Sequence, residues 1–337
     1  MEIKMDDIAR LANVSRSAVS LALNGKDGVS EATRAKIFKV IDKYNYKPLR
    51  KSKKNLHELA TVNLLVVKSF ALVGNNYRSL PFFDNLISSL SERISNTGGT
   101  LQISTIDSQH LEQSLNDLPN SDETTGTIVL ATDLSESEVR TIQAKLENVV
   151  FIDTYYRNIK ADFVTMDNYQ GAFDAGIFML NKGYQRIGYI ASNKLIANFQ
   201  MRRTGFNNAL ATRHISIQPQ HYYQVSPTAT AYDELDIHQI IDHDAPDAVF
   251  CEDDYIATRL IKQLVTAGIK VPDEIGVMGF DDIYEGTLLM PELSTVHVPI
   301  YQIASQAIQQ LRGQVFKHDY APQKSLISTH IIERNSI

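Results

Sequence analysis

Asp153, Asp253 and Asp281 each stand at or just past the end of a short apolar run, and Arg202 opens the segment Arg-Arg-Thr-Gly-Phe. Carboxylates accept hydrogen bonds from neighbouring hydroxyls, and a guanidinium donates a fork to ring or hydroxyl oxygens. This is the chemistry of holding a polyhydroxylated ligand. Phe82 and Phe83 follow Pro81 as an adjacent aromatic pair. The same acids have a second use, because a carboxylate after a strand often caps the next helix. Such capping is as ready a reading as any other for Asp254 and Asp282, and on the residues alone it stays open for Asp253 and Asp281. Phe82 and Phe83 are neighbours at a helix start, so one is expected in the cleft and the other in the core. Asp167 and Asn168 read as turn or cap residues.

Bond-breaking chemistry has no comparable signal. No phosphate-cradling loop, dinucleotide fingerprint or nucleophile elbow occurs, and His57-Glu58 lacks a histidine four residues after the first. Asp242-His243-Asp244 and Glu252-Asp253-Asp254 have metal-ligating types, but one falls at an expected helix end and the other at the cleft just described. Cys251 is the single cysteine and closes an apolar run, as buried inert thiols do. An internal disulfide framework and a four-cysteine zinc site are excluded. No catalytic residue, metal or cofactor is expected, and the chain is not expected to be an enzyme.

The elements that must position these side chains alternate along most of the chain. Apolar runs at 62–67, 101–106, 127–130, 149–152, 186–191, 248–251 and 275–279 read as strands, and segments such as 83–95, 169–180, 203–212 and 254–267 read as helices. Strand and helix in alternation predict α/β architecture with parallel sheets and crossover helices. Over about 270 residues this suits two lobes, with a ligand at the carboxyl ends of the strands, between them. The whole chain has 337 residues and is 43% hydrophobic, enough for real cores in about two domains. Its longest apolar runs, such as residues 64–67, are too short to span a bilayer, and charge interrupts the N-terminus where a signal peptide has its apolar core. A cytoplasmic location and no membrane partner are expected.

Charge is divided unevenly. Residues 1–60 hold thirteen Lys and Arg against seven Asp and Glu, a net of +6, whereas the remainder holds twenty against thirty-two, a net of -12. A basic head on an acidic body suggests that the head meets a polyanion. Within the head, residues 6–12 form a short amphipathic helix with acids in its first turn. Ser15 is suited to cap a second helix over 16–23, which buries Ala18, Val19 and Ala22, leaves Arg16, Ser17 and Ser20 outside, and is stopped by Asn24-Gly25. Ser30 caps a third, over 31–44. The first two, joined by a short turn, have the proportions of a helix-turn-helix.

The residues themselves go further. Positions 5–24, MDDIARLANVSRSAVSLALN, with GVSEATR at 28–34 and YNYKP at 44–48, closely resemble the head of the LacI/GalR (lactose/galactose repressor) family. The resemblance implies that the positions directly after the turn, Arg16 and Ser17, with Leu21 one turn on, read base edges. Arg16 is the first choice, because a guanidinium can bond guanine O6 and N7 together. Ser15, Ser20 and Asn24 are expected on phosphates. In the family the connector forms a hinge helix whose leucine, seven residues after the proline, wedges into the minor groove. Here the seventh residue after Pro48 is Asn55 and Leu56 is the eighth, and the basic run Arg50, Lys51, Lys53 and Lys54 replaces the usual Ala-Arg pair. Either the hinge grips phosphates with Leu56 shifted into the wedge role, or the segment is a flexible tether.

The body is similar to the family's effector-binding core, and to periplasmic sugar-binding proteins in fold, through PFF at 81–83, FID at 151–153, DNYQG at 167–171, RRTGF at 202–206, DDYIA at 253–257 and VPDEIGVMGFDD at 271–282. The matching positions line the family's effector cleft, which makes ligand contact the better reading of Phe82, Phe83, Asp153, Arg202, Asp253 and Asp281. At 253 an aspartate replaces the family's commonest residue, asparagine. The expectation is a small all-α helix-turn-helix head, 1–46, a hinge, 47–60, and a bilobed periplasmic-binding-protein-like core for effector binding and dimerisation, 61–337. It would act as a homodimeric repressor on near-palindromic double-stranded DNA, controlled by a sugar or sugar phosphate. The rivals are a soluble sugar-binding receptor or transport component and a sugar-processing enzyme.

Overall fold

The computed structural model describes residues 5–44 except 24–27, residues 59–118 except 70 and 75, and residues 124–228, 237–241 and 244–337. The chain divides into two compact units, Met1–Leu56 and His57–Ile337.

In the first unit, α1 (Met5–Ala12) carries Asp6 and Asp7 in its first turn and Arg10 in its last, as the helix dipole favours. Asn13, with φ 51°, turns the chain. The Ser15 hydroxyl then accepts the Ala18 amide at 3.2 Å and caps α2 (Arg16–Leu23). Ser30 does the same for α3 (Glu31–Lys43), accepting the Thr33 amide at 3.3 Å. Ile8, Ala12, Val19, Ala22 and Ile37 close the shared core. Arg34 donates to the Ala22 carbonyl at 3.0 Å, fixing α3 against the end of α2. Asn24, Arg50, Lys51 and Leu56 lie outside the described residues.

The second unit contains two sheets. β1 (Thr61–Lys68), β2 (Thr100–Asp107), β3 (Gly126–Leu130), β4 (Val149–Ile152), β5 (Asp162–Met166) and β11 (Lys324–Ile327) form the first, all parallel, in the order β11-β5-β4-β3-β1-β2. β6 (Ile187–Ser192), β7 (Tyr222–Val225), β8 (Ala248–Cys251), β9 (Gly276–Asp281), β10 (Ser294–His297) and β12 (His330–Ile332) form the second, in the order β12-β10-β9-β8-β6-β7, with only β12 antiparallel. β3, β4, β5, β6, β8 and β9 are buried along their whole length, because helices cover both faces of each sheet. All seven strands read from the sequence occur; β5, β7, β10, β11 and β12 are additional.

α4 (Pro81–Asn96), α5 (Leu111–Asn116), α6 (Glu136–Lys145) and α11 (Ile300–Phe316) flank the first sheet, and α7 (Asn168–Lys182), α8 (Ala197–Ala211), α9 (Ile237–Ile240) and α10 (Asp254–Thr266) belong to the second lobe. α8 starts at Ala197 and not at the expected 203. Phe199, Arg202, Phe206 and Leu210 fall on one buried face from its first turn, while no side chain caps that end to mark it. α7 and α8 approach so closely that a Cβ on Gly205 would stand 2.1 Å from the Tyr169 carbonyl oxygen, which is why this position is glycine. The chain passes between lobes three times, at Asp167, at 298–299 and at 328–329. The carboxyl ends of the two sheets meet across these crossings.

Candidate functional site

A cleft of about 360 Å³ of atom-free space, part of it open to solvent, lies between the two lobes. Its walls contain all six positions that the sequence singled out: Phe82, Phe83, Asp153, Arg202, Asp253 and Asp281. The two phenylalanines depart from expectation, since both line the space. Their rings meet edge to face with centroids 5.4 Å apart, so Phe83 packs inward while still presenting surface to the cleft.

The polar wall is one continuous chain of hydrogen bonds. Thr132 donates to Asp153 Oδ2 at 2.6 Å, and the Asn198 amide donates to Asp153 Oδ1 at 2.9 Å and to its carbonyl at 3.1 Å. Asn168 donates to Asn198 Oδ1 at 3.1 Å and accepts from Arg202 Nε at 2.8 Å. Arg202 then donates through Nη1 to the Glu252 carbonyl at 2.5 Å and through Nη2 to Asp281 Oδ1 at 3.0 Å, while its guanidinium lies 3.7 Å from the centre of the Phe280 ring. Asp153 belongs to the first lobe and Asn198, Arg202 and Asp281 to the second. The network therefore ties the lobes together through the Asn198 bond to Asp153.

Backbone conformation reinforces the placement. Asp153 and Asp281, the residues at the ends of β4 and β9, have φ of 60° and 123°. Such left-handed conformations in non-glycine residues cost on the order of 1–3 kcal/mol and persist where surrounding structure imposes them. Here they turn both carboxylates into the cleft.

Burial raises the pKa of both groups to about 6, against the pull of Thr132, Arg202 and Asn198 on Asp153 and of Arg202 on Asp281. Asp253 is pushed well above the ordinary carboxylate range, by burial first and then by the neighbouring charge of Asp281.

Asp253 resolves the capping question differently from expectation. Its Oδ1 accepts the Ile256 amide at 2.8 Å, so it caps α10, and Asp254 sits inside the helix. Asp253 Oδ2, buried and facing the same cleft, has no hydrogen-bond partner. Asp254 accepts from Thr295 at 2.7 Å and from the Ile283 amide at 3.0 Å, joining α10 to β10 and to the segment just after β9. Asp282 caps nothing either; it pairs with His297 at 2.8 Å and Arg334 at 2.6 Å. Asp167 is a cap, accepting the Gln170 amide at 3.0 Å, whereas Asn168 is a buried member of the cleft network.

Sequence reading missed Thr132, Asn198 and Tyr255. Asn198 and Tyr255 lie in first turns of helices, where a polar residue carries no distinguishing local pattern. In the first unit, Arg16 and Ser17 are exposed and Ser20 and Leu21 half-buried on α2. Arg16 Nε lies 3.4 Å from Asp6 Oδ1, an exposed ion pair.

Residues 4–48 match the model of bacterial regulatory proteins of the lacI family, and residues 178–337 match a periplasmic binding protein-like domain. The chain carries a lacI-family DNA-binding domain followed by a periplasmic-binding-protein-like domain. It is 29% identical to the ribose operon repressor of Haemophilus influenzae, over 92% of this chain and 91% of that one. It is 27% identical to the transcriptional repressor CytR of Escherichia coli K12, over 98% of this chain and 95% of that one. In fold it is similar to the lac repressor dimer solved with operator and the anti-inducer ONPF, with a TM-score of 0.76 at 17% identity, covering 100% of this chain and 99% of that one. Among the described residues no helix is long and apolar enough to cross a membrane.

Proposed function

We propose that this chain is a sequence-specific, DNA-binding transcriptional regulator, a cytoplasmic repressor of a carbohydrate-utilisation operon whose DNA affinity is set by a small sugar-like effector. The observation that carries the reading is α2: a capped helix presenting Arg16 and Ser17 to solvent, within a head that matches the lacI family over residues 4–48. In this reading Arg16, Ser17 and Leu21 contact bases, and Ser15, Ser20, Asn24 and the basic hinge at Arg50 and Lys51 contact phosphates. Leu56 serves as the minor-groove wedge. Residues 1–46 are the head, 47–60 the hinge and 61–337 the core.

A two-fold dimer reads two-fold DNA, so the operator is a near-palindrome. The effector occupies the interlobe cleft against Phe82, Phe83, Asp153, Arg202, Asp253 and Asp281. Its donors meet the carboxylates while its apolar face meets the rings. The cleft holds its ligand without transforming it, and the protein is not an enzyme. Selection of bound sequences from a random duplex library by the full chain is expected to enrich an inverted repeat. A library with no enriched motif would favour a soluble sugar-binding receptor instead.

A further inference from the structure

We propose that the cleft admits a polyhydroxylated ligand of zero or positive charge and excludes its phosphorylated and carboxylated forms, because among the described residues its polar wall sets three acidic groups against one guanidinium that already bonds three protein acceptors. The inference rests on the sugar-effector reading above and narrows it.

The wall sets Asp153, Asp253 and Asp281 against Arg202, the one cation among the described lining residues. The donors are largely spent inside the protein. Both bonds of the Asn198 amide go to Asp153, as does the Thr132 hydroxyl. Each of the three guanidinium nitrogens of Arg202 already donates once, to Asn168, Glu252 and Asp281, which uses three of its five N–H groups. The Tyr255 hydroxyl accepts the Phe82 amide at 3.0 Å and keeps its own proton to give. On the acceptor side, Asp253 Oδ2 is buried in a residue only 1% exposed and receives nothing.

A phosphate or carboxylate brings acceptors and negative charge, so it would face three acidic groups and a single guanidinium already bonded to three protein acceptors. A hydroxyl brings a proton to Asp253 Oδ2, and an ammonium brings three. Phe82, Phe83 and Phe199 add apolar wall to the same cleft.

The test is a matched series on the full chain, read by thermal shift and titration calorimetry. Glucose, galactose and ribose are each compared with their terminal phosphates, and the hexoses also with their 6-carboxylates and 2-amino forms. For any sugar that binds, the phosphate and carboxylate are expected to bind at least tenfold more weakly than the parent, and the amino sugar at least as tightly. An anionic form binding as tightly as its parent overturns the inference while leaving the effector site standing. No shift from any member contradicts the sugar-effector reading, and this inference with it. Asp253→Asn supplies the second arm, because asparagine also caps a helix well and the fold is retained. The variant is expected to narrow the ratio between parent and phosphate, and an unchanged ratio would again overturn the proposal.

Discussion

The Tyr255 hydroxyl, in the first turn of α10, accepts the backbone N–H of Phe82, in the first turn of α4, at 3.0 Å. The two helices belong to different lobes. α4 begins with Pro81 after Leu80, which offers no capping side chain; the Leu80 carbonyl takes the Phe83 and Asp84 amides, and the Phe82 amide turns elsewhere. The opposite lobe supplies its partner. Closure of the cleft is thus coupled to completing the end of a helix that packs along α11 in the first lobe.

Removing that hydroxyl while keeping the ring isolates the contribution. Tyr255→Phe leaves the Phe82 amide unsatisfied and is expected to destabilise the second unit by about 1–3 kcal/mol without ligand. Denaturant unfolding of the full chain checks this, and an unchanged midpoint would show that the bond contributes nothing to closure.

Arg202 is the keystone of the polar wall. Arg202→Ala strands Asp281, Asn168 and the Glu252 carbonyl in a buried site, and breaking a buried ion pair from one side costs roughly 3–5 kcal/mol. Arg202→Lys is expected to recover only part of this, because an ammonium cannot span three acceptors held in a planar fork. Equal stability of the lysine variant and the parent, by chemical unfolding, would contradict the network's role.

Stability should fall as pH rises through the range where the cleft acids ionise. Asp153 and Asp281 keep their protons up to about 6 in the folded chain, against an ordinary aspartate value of 3.8, so between these values the folded state holds more protons than the unfolded state. Stability from these two groups is fully present below roughly pH 4 and is lost as pH climbs through 6. Asp254, raised to about 7 by burial and by Asp281, extends the decline. Asp282 has the opposite sign: burial opposes its ionisation, but bonds from His297 and Arg334 hold its pKa low, so its contribution is present above the ordinary range and lost at more acid pH. Calorimetric scans between pH 5 and 8 are expected to show the decline for the second unit and a shallower one for Asp153→Asn. An identical slope in the variant would remove Asp153 from the account.

On the DNA side, Arg16→Ala is expected to weaken operator binding by roughly 1–3 kcal/mol with little change on non-specific DNA. Equal loss on every sequence would make Arg16 a phosphate contact. The Asp6 partner is expected to matter little, since exposed ion pairs contribute about 0–1 kcal/mol.

Much of this arrangement was legible in the sequence, for physical reasons that differ by element. β4 and β8 are short apolar runs covered on both faces, and each matches its expected range of residues. β10, β11 and β12 carry Ser, Thr, Lys and His in three or four residues, too few and too polar to show a period. The carboxylates were found because strand ends deliver them to the cleft. Asn198 and Tyr255 come from helix starts across the crossing between lobes. Only tertiary closure sets them against Asp153 and Phe82. The roles left open at Asp254 and Asp282 have the same cause, because Thr295 and Arg334, residues remote in the chain, hold them.

The central claim, that one chain couples a DNA-reading head to a sugar-binding cleft, is tested most directly by linkage. Operator affinity of the full chain would be measured with and without whichever of glucose, galactose or ribose gives the largest thermal shift, and affinity for that sugar with and without operator. The account predicts that each ligand changes the other's dissociation constant by the same factor, about 5 to 150-fold. Operator and sugar that both bind, with neither altering the other's affinity, would contradict it.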